Sequence, residues 1–251
     1  MPIILGEQER QIKLQISVMS ARGWSPMFGH CYAGLAHRLG AHGIKNFGHP
    51  VVQFDTTSGQ SLIALGRHNA CRNAMKDGCT HILMIDDDMQ FPHELCDWFF
   101  NRRVPVIAAN CLRKRDTHKE GTCVRLDGSF HLPENRQDIE EVAQVGTGII
   151  LIDLDAIRHL PDPLFDTPWV DSIKSHLGED YYFCQKARQY GVKVYVDNLV
   201  SNCSAHMGEF AYHWGNDYPL NFRGWTDLLH CTQKDPIDKE IFNTLKEAIR
   251  G

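Results

Sequence analysis

The chain has 251 residues, 43% hydrophobic and 23% charged, which fits one soluble domain with at most a small appendage. Its 26 basic and 31 acidic residues leave a net charge of −5, against any protein that coats nucleic acid with a global basic surface. No apolar run approaches the ~20 residues of a membrane span, and Met1-Pro2-Ile3-Ile4-Leu5-Gly6-Glu7 lacks a basic signal-peptide start, so a cytoplasmic location is expected. The nine cysteines include no Cys-x-x-Cys pair and read as reduced, buried thiols. The 14 histidines form no His-Glu-x-x-His or zinc-type spacing.

In chain order, Ile12, Leu14, Ile16 and Val18 alternate as a first strand, broken by Ser20-Ala21-Arg22-Gly23. Apolar periodicity from Phe28 to Leu39 predicts a helix. Val51-Val52-Gln53-Phe54 predicts a short strand ending at Asp55, and a helix follows from about Gln60 to Lys76. His81-Ile82-Leu83-Met84-Ile85 predicts a buried strand that stops at Asp86-Asp87-Asp88. Pro92 suits the first turn of a helix through Phe100, and Val104 to Ala108 returns as a strand. This βαβαβαβ order implies an α/β fold, with a mostly parallel sheet and helices on both faces.

The second half has a different texture. Thr122 to His131 carries an Asp127-Gly128 hairpin turn. Val145 to Asp153 predicts a strand containing Gly146 and Gly148, Gly178 to Tyr190 a helix, and Val192 to Val196 a last strand. After Asp235-Pro236, the residues Ile237, Ile241, Leu245 and Ile249 share one helical face. The expected organisation is one domain over residues 1–215, with a donor-binding half at about 12–110 and an acceptor half at 111–215. A C-terminal helical extension would occupy 216–251.

Three adjacent carboxylates at the end of a buried strand repel one another and make a poor core feature. Open α/β sheets bind ligands outside the carboxyl ends of their strands, and hard oxygen ligands there suit Mg²⁺ or Mn²⁺ bridging to phosphate. The plain alternative is a solvated acidic turn. Around the triplet stand Gly66-Arg67-His68-Asn69-Ala70-Cys71-Arg72-Asn73-Ala74, Gln90-Phe91-Pro92, Val145-Gly146-Thr147-Gly148-Ile149-Ile150-Leu151-Ile152-Asp153, Gly178-Glu179-Asp180-Tyr181-Tyr182-Phe183-Cys184 and Cys203-Ser204-Ala205-His206-Met207-Gly208. This succession resembles the GT-A (Rossmann-like) glycosyltransferases of the family-2-like group, which carry an aspartate-x-aspartate motif. The resemblance covers about Ile12 to Tyr212 and is strongest from Arg67 to Gly208. Ser20-Ala21-Arg22-Gly23-Trp24 departs most from the family's pattern.

The resemblance implies a metal-dependent enzyme that moves a sugar from a nucleotide-sugar, with a uridine-based donor favoured, to an acceptor hydroxyl with inversion. It implies that Asp86 and Asp88 serve the donor and a divalent metal, with His206 completing the metal shell. Asp87, Gly146 and Gly148 would line the donor site, Asp55 would meet the nucleotide base, and Arg67 and Asn69 would reach the nucleotide or its phosphates. Asp180, or failing it Glu179, would be the catalytic base. Each residue also has a plain structural reading. His206 is one of many histidines, Glu179-Asp180 suits a helix N-terminus, Arg67 fits a surface ion pair, and the glycines fit a strand bulge. Arg113-Lys114-Arg115 reads as a solvated loop, with a phosphate or polyanionic acceptor as the alternative. A sugar-nucleotidyltransferase and a non-catalytic nucleotide- or carbohydrate-binding protein are the competing functions. The former expects a glycine-rich phosphate loop after the first strand, where this chain has only Gly23 and Arg22. The acceptor, whether glycan, protein, small molecule or modified nucleobase, is not specified by these residues.

Overall fold

A computed structural model describes residues 11–20, 23–58, 62–114, 121–133, 138–208 and 211–212. The predicted C-terminal helix and the 216–251 extension lie outside them. In order, the elements are β1 (Lys13–Ser20), α1 (Pro26–His42), β2 (Val51–Ser58), α2 (Ile63–Lys76), β3 (His81–Asp86), β4 (Met89–Gln90), α3 (Leu95–Asn101) and β5 (Val106–Ala108). There follow β6 (Val124–Arg125), β7 (Ile139–Gln144), β8 (Ile149–Asp153), α4 (Leu154–Ile157), β9 (Trp169–Val170), β10 (Ser175–His176), α5 (Glu179–Gln189), β11 (Tyr195–Asp197), α6 (Asn198–Asn202), β12 (Ala205–Met207) and β13 (Ala211–Tyr212).

The main sheet has eight strands in the order β2-β1-β3-β8-β5-β11-β7-β6. The first-half strands β2, β1 and β3 pair in parallel, as β-α-β crossovers require. β8 is inserted antiparallel between β3 and β5, and β7 is antiparallel to β11 and β6. The sheet is therefore α/β and mixed, with its reversed strands in the second half. Alternating side chains of β1 feed two cores. Leu14, Ile16 and Val18 join α1 and α3, while Met19 joins α2, α4 and α5. Helices thus cover both faces.

Local chemistry sets the element ends. Ser25 caps α1 by accepting from Phe28 N at 3.1 Å, with Pro26 in the first turn. Pro92, expected inside the third helix, lies in the turn before it, and its carbonyl accepts from Leu95 N at 3.2 Å. The expected Val145–Asp153 strand starts only at Ile149, so Gly146 and Gly148 sit in the loop entering β8. Backbone bonds show where the strand is left: Gly148 O still accepts from Asp86 N, the next step of the β3–β8 register, whereas Gly146 N turns away and donates to Thr122 O. β7 was not anticipated, because Glu140 and Glu141 are poor strand formers and only Val142 of its residues is buried.

Candidate functional site

The site forms where β3 ends. Asp86 is the strand's last residue, and Asp87 and Asp88 turn away toward the two-residue strand β4. β4 pairs with β12, and β12 with β13, in a small antiparallel sheet over the rim. That sheet lays His206 opposite Met89 and binds Met207 N to Asp88 O at 2.7 Å. A residue about 120 positions distant in sequence thereby reaches the triplet.

The three aspartates separate by role. Asp87 accepts from Ser20 Oγ at 2.6 Å, and its N donates to Met19 O at 3.1 Å, so it ties β3 to the end of β1. Asp86 takes both oxygens to Arg67 Nη2, at 2.8 and 3.1 Å. Arg67 is almost wholly buried at 2% exposure. Its other terminal nitrogen bonds the Thr147 hydroxyl and, at 3.2 Å, the Thr147 carbonyl, while Nε faces Glu179 at 3.5 Å. One guanidinium thus joins α2, β3, the β7–β8 loop and the start of α5. Burial, opposed by Arg67 and reinforced by the Asp88 and Glu179 charges, pushes the Asp86 carboxyl up to about 6.

Asp88 faces a different environment. Oδ2 lies 2.6 Å from Lys114 Nζ and 3.3 Å from His206 Nε2, while Oδ1 is buried and has no hydrogen-bond partner. Burial works to raise its pKa, but hydrogen bonds and charge from His206 and Lys114 outweigh it and bring the carboxyl down to about 2. His206 Nδ1 lies 2.8 Å from the Leu112 carbonyl. Donation there fixes the ring and turns Nε2 toward Asp88, the arrangement that prepares an imidazole for a metal.

The acid pair opens α5. Asp180 Oδ1 accepts from Tyr181 N at 2.7 Å, and burial together with the Glu179 charge raises its pKa. Tyr181 reaches back, with its hydroxyl 3.3 Å from Thr122 O and 3.5 Å from Arg113 Nη2. Gly148 lies against the triplet, where a Cβ would stand 3.7 Å from Asp86 Oδ2 and 3.3 Å from Met89 Sδ.

The structure therefore brings Asp86, Asp87, Asp88, Gly148, Glu179, His206 and Arg67 into one linked rim. Gly146 lies farther in, packed on Thr122. Two expected positions differ. Asp55 does not end its strand, since β2 continues to Ser58 and pairs Asp55 with Ser17, about 10 Å below the Ser20–Ser58 end. There it accepts from Ser17 Oγ at 3.4 Å, and its charge adds to the burial that lifts the Tyr32 hydroxyl to about 12. Asn69 lies two residues beyond Arg67 on α2, about 200° around the helix, so the two side chains leave on different sides. Sequence reasoning gave no role to Thr147 or Ser20, and read Lys114 as part of a solvated loop, with phosphate or a polyanionic acceptor as the alternative. The run Arg113-Lys114-Arg115 after a ligand-side strand was the available signal for Lys114.

Among the described residues, no group of three or more His, Cys, Asp or Glu side chains is arranged to hold a metal ion. Asp88 and His206 form a two-donor site with one orphaned buried oxygen, while Asp86 is committed to Arg67. Two protein donors fit a divalent cation that takes its remaining ligands from phosphate oxygens and water. No helix among the described residues is long and apolar enough to cross a membrane.

No family model and no curated protein matches the chain. Among solved structures, A197 from STIV matches with a TM-score of 0.52 and 17% identity, covering 85% of this chain and 100% of that one. That likeness shows the fold alone. GalNAc-T7, solved with UDP, GalNAc and Mn²⁺, matches at a TM-score of 0.45 and 10% identity, over 82% of this chain and 45% of its own, too low to carry an argument.

Proposed function

We propose that the chain is a glycosyltransferase that moves a sugar from a nucleotide-sugar, with UDP-sugars the favoured class, to an acceptor hydroxyl. The observation that carries this reading is the convergence of Asp88 and His206 as a donor pair beside Asp86, Gly148 and Glu179. A divalent cation, Mn²⁺ or Mg²⁺, held by Asp88 and His206 would neutralise charge on the departing diphosphate.

The chain's own residues have separable tasks in this reading. Arg67 holds Asp86 and Glu179 in place, acting as a positioning residue. Asp87 locks the end of β3 to β1 through Ser20. Gly148 keeps the space beside Asp86 open for the donor. Asp180 is the base. Its Oδ1 is engaged by its own helix, which leaves Oδ2 to take the acceptor proton, and burial raises its pKa toward the operating range of a general base. Asp55 would reach the nucleotide from the side of β2, while Asn69, which leaves α2 on a different side from Arg67, takes no part in this reading.

The test is a panel of nucleotide-sugars incubated with the chain in Mn²⁺ and in EDTA, with release of nucleoside diphosphate as readout. Metal-dependent release from at least one donor is expected. No release from any donor, with pyrophosphate instead produced from a nucleoside triphosphate and a sugar phosphate, would move the chain to the nucleotidyltransferases.

A further inference from the structure

Lys114 stands where a cation bound to Asp88 would stand. Its Nζ lies 2.6 Å from Asp88 Oδ2, the oxygen that also faces His206 Nε2 at 3.3 Å. An ammonium neutralises the carboxylate yet leaves Oδ1 buried without a partner. Both side chains of the ion pair are 35% exposed, so the ammonium has water to move into. It cannot move far. Two residues back, the Leu112 carbonyl engages the His206 ring, and Leu112 bridges to Gly121. The neighbouring Arg113 reaches Tyr181 on α5.

We propose that Lys114 is a tethered counter-cation: it neutralises Asp88 while no metal is bound, must be displaced before a divalent cation binds, and then offers its charge to the donor's diphosphate. This rests on the metal-assisted transfer proposed above. A divalent cation and an ammonium on the same carboxylate oxygen would lie within a few ångströms of each other, so their mutual repulsion sets metal and lysine in competition. Arrival of the metal thereby places a second positive charge beside the leaving group, where charge develops during transfer.

The test separates metal affinity from activity. Free Mn²⁺ is measured by electron paramagnetic resonance, without nucleotide, for the unmutated chain, Lys114→Met, Lys114→Arg and Asp88→Asn. UDP affinity is then measured by calorimetry at saturating Mn²⁺. Lys114→Met should bind Mn²⁺ roughly three- to tenfold more tightly, the range for losing a partly exposed, charge-assisted contact. Lys114→Arg should return the weaker affinity, and Asp88→Asn should lose the site. UDP should bind Lys114→Met roughly tenfold more weakly despite the tighter metal, as loss of one charged contact to phosphate implies. Equal melting temperatures would show that folding is not the cause. Unchanged or weaker Mn²⁺ binding by Lys114→Met overturns the proposal, as does unchanged UDP affinity or the absence of Mn²⁺ binding by every variant. Donor cleavage by the unmutated chain is scored separately, so competition without cleavage sinks only the transfer reading, and cleavage without competition sinks only the role of Lys114.

Discussion

Asp86 and Asp88 are two residues apart on one rim, yet their surroundings oppose each other. Asp86 is bonded through both oxygens to a buried arginine, and its carboxyl is pushed up to about 6. Asp88 is a third exposed, shares one oxygen between a lysine and a histidine, keeps the other unpartnered, and is brought down to about 2. The contrast assigns them different work. A carboxylate whose partners are buried and fixed belongs to the scaffold, whereas one with an exposed partner and an unpartnered oxygen is equipped to exchange ligands.

The largest effects should fall on the acid pair, which extends the same contrast along α5. Glu179 belongs to the Arg67 network and Asp180 does not bond to it. Asp180→Asn should lower transfer by about 10²–10⁴ while nucleotide affinity persists. Glu179→Gln should act mainly on Asp86 and Arg67, and so on donor affinity. If Glu179→Gln abolishes transfer and Asp180→Asn spares it, the roles are reversed. Next in size is Arg67→Met, which leaves the Asp86 carboxylate without its cation. Breaking a buried ion pair typically removes about 3–5 kcal/mol, read as a shift in the urea midpoint. Lys114→Met, at the exposed end, should change stability by less than about 1 kcal/mol. Similar losses for the two variants would erase the distinction between the two carboxylates.

How much of this was legible in the sequence follows from how each feature is encoded. β1, β3 and β8 carry unbroken or alternating aliphatic residues, and a hydrophobic run announces itself. The acid triplet was legible as a unit because three adjacent carboxylates seldom end a buried strand, but the structural ties of Asp86 to Arg67 and of Asp87 to Ser20 were not. β7 was hidden by its glutamates, and the end of β2 by Thr56, Thr57 and Ser58, which read equally well as loop. Side-chain partnership was the least legible level. That Arg67 turns inward to Asp86 depends on helix phase and on the β7–β8 loop arriving beside it, and neither is written locally. Lys114 shows the same limit, since a solvated basic loop and a cation seated on Asp88 have the same sequence.

Opposite titration follows from the two environments. Asp86 binds its proton more tightly folded than unfolded, with about 6 against an ordinary 3.8. Folding therefore gains protons between those values, and stability should fall as pH rises from about 4 to 6, by on the order of 3 kcal/mol. Asp88 has the reverse sign. Its carboxyl at about 2, against 3.8, contributes stability that is present above pH 4 and lost as pH falls through 2. Carbon-13 carboxyl titration of the metal-free protein reads both directly. Matching midpoints for the two would remove the basis of the comparison.

The smallest effect distinguishes scaffold from site through the two glycines beside them. A Cβ on Gly146 would lie 2.6 Å from Thr122 Oγ1 and 2.7 Å from its Cβ. Thr122 cannot yield easily, because its N bonds Cys111 O at 3.1 Å and Asn110 Oδ1 at 2.9 Å, and its carbonyl accepts from Gly146 N at 3.0 Å. Gly146→Ala should therefore destabilise the fold by about 1–2 kcal/mol, as overpacking does, with little change in nucleotide affinity per folded molecule. On Gly148 the same methyl meets Met89 Sδ at 3.3 Å, the far end of a flexible side chain that can shift. Its stability should change by less than about 1 kcal/mol. The methyl would also stand 3.7 Å from Asp86 Oδ2, within the space proposed for the donor, so nucleotide affinity should fall instead. Urea denaturation and UDP calorimetry on both variants give four numbers, and the reading requires them to cross. Weaker UDP binding by Gly146→Ala with normal binding by Gly148→Ala would mean that the nucleotide lies on the Thr122 side of the rim, and the donor site would have to be redrawn there.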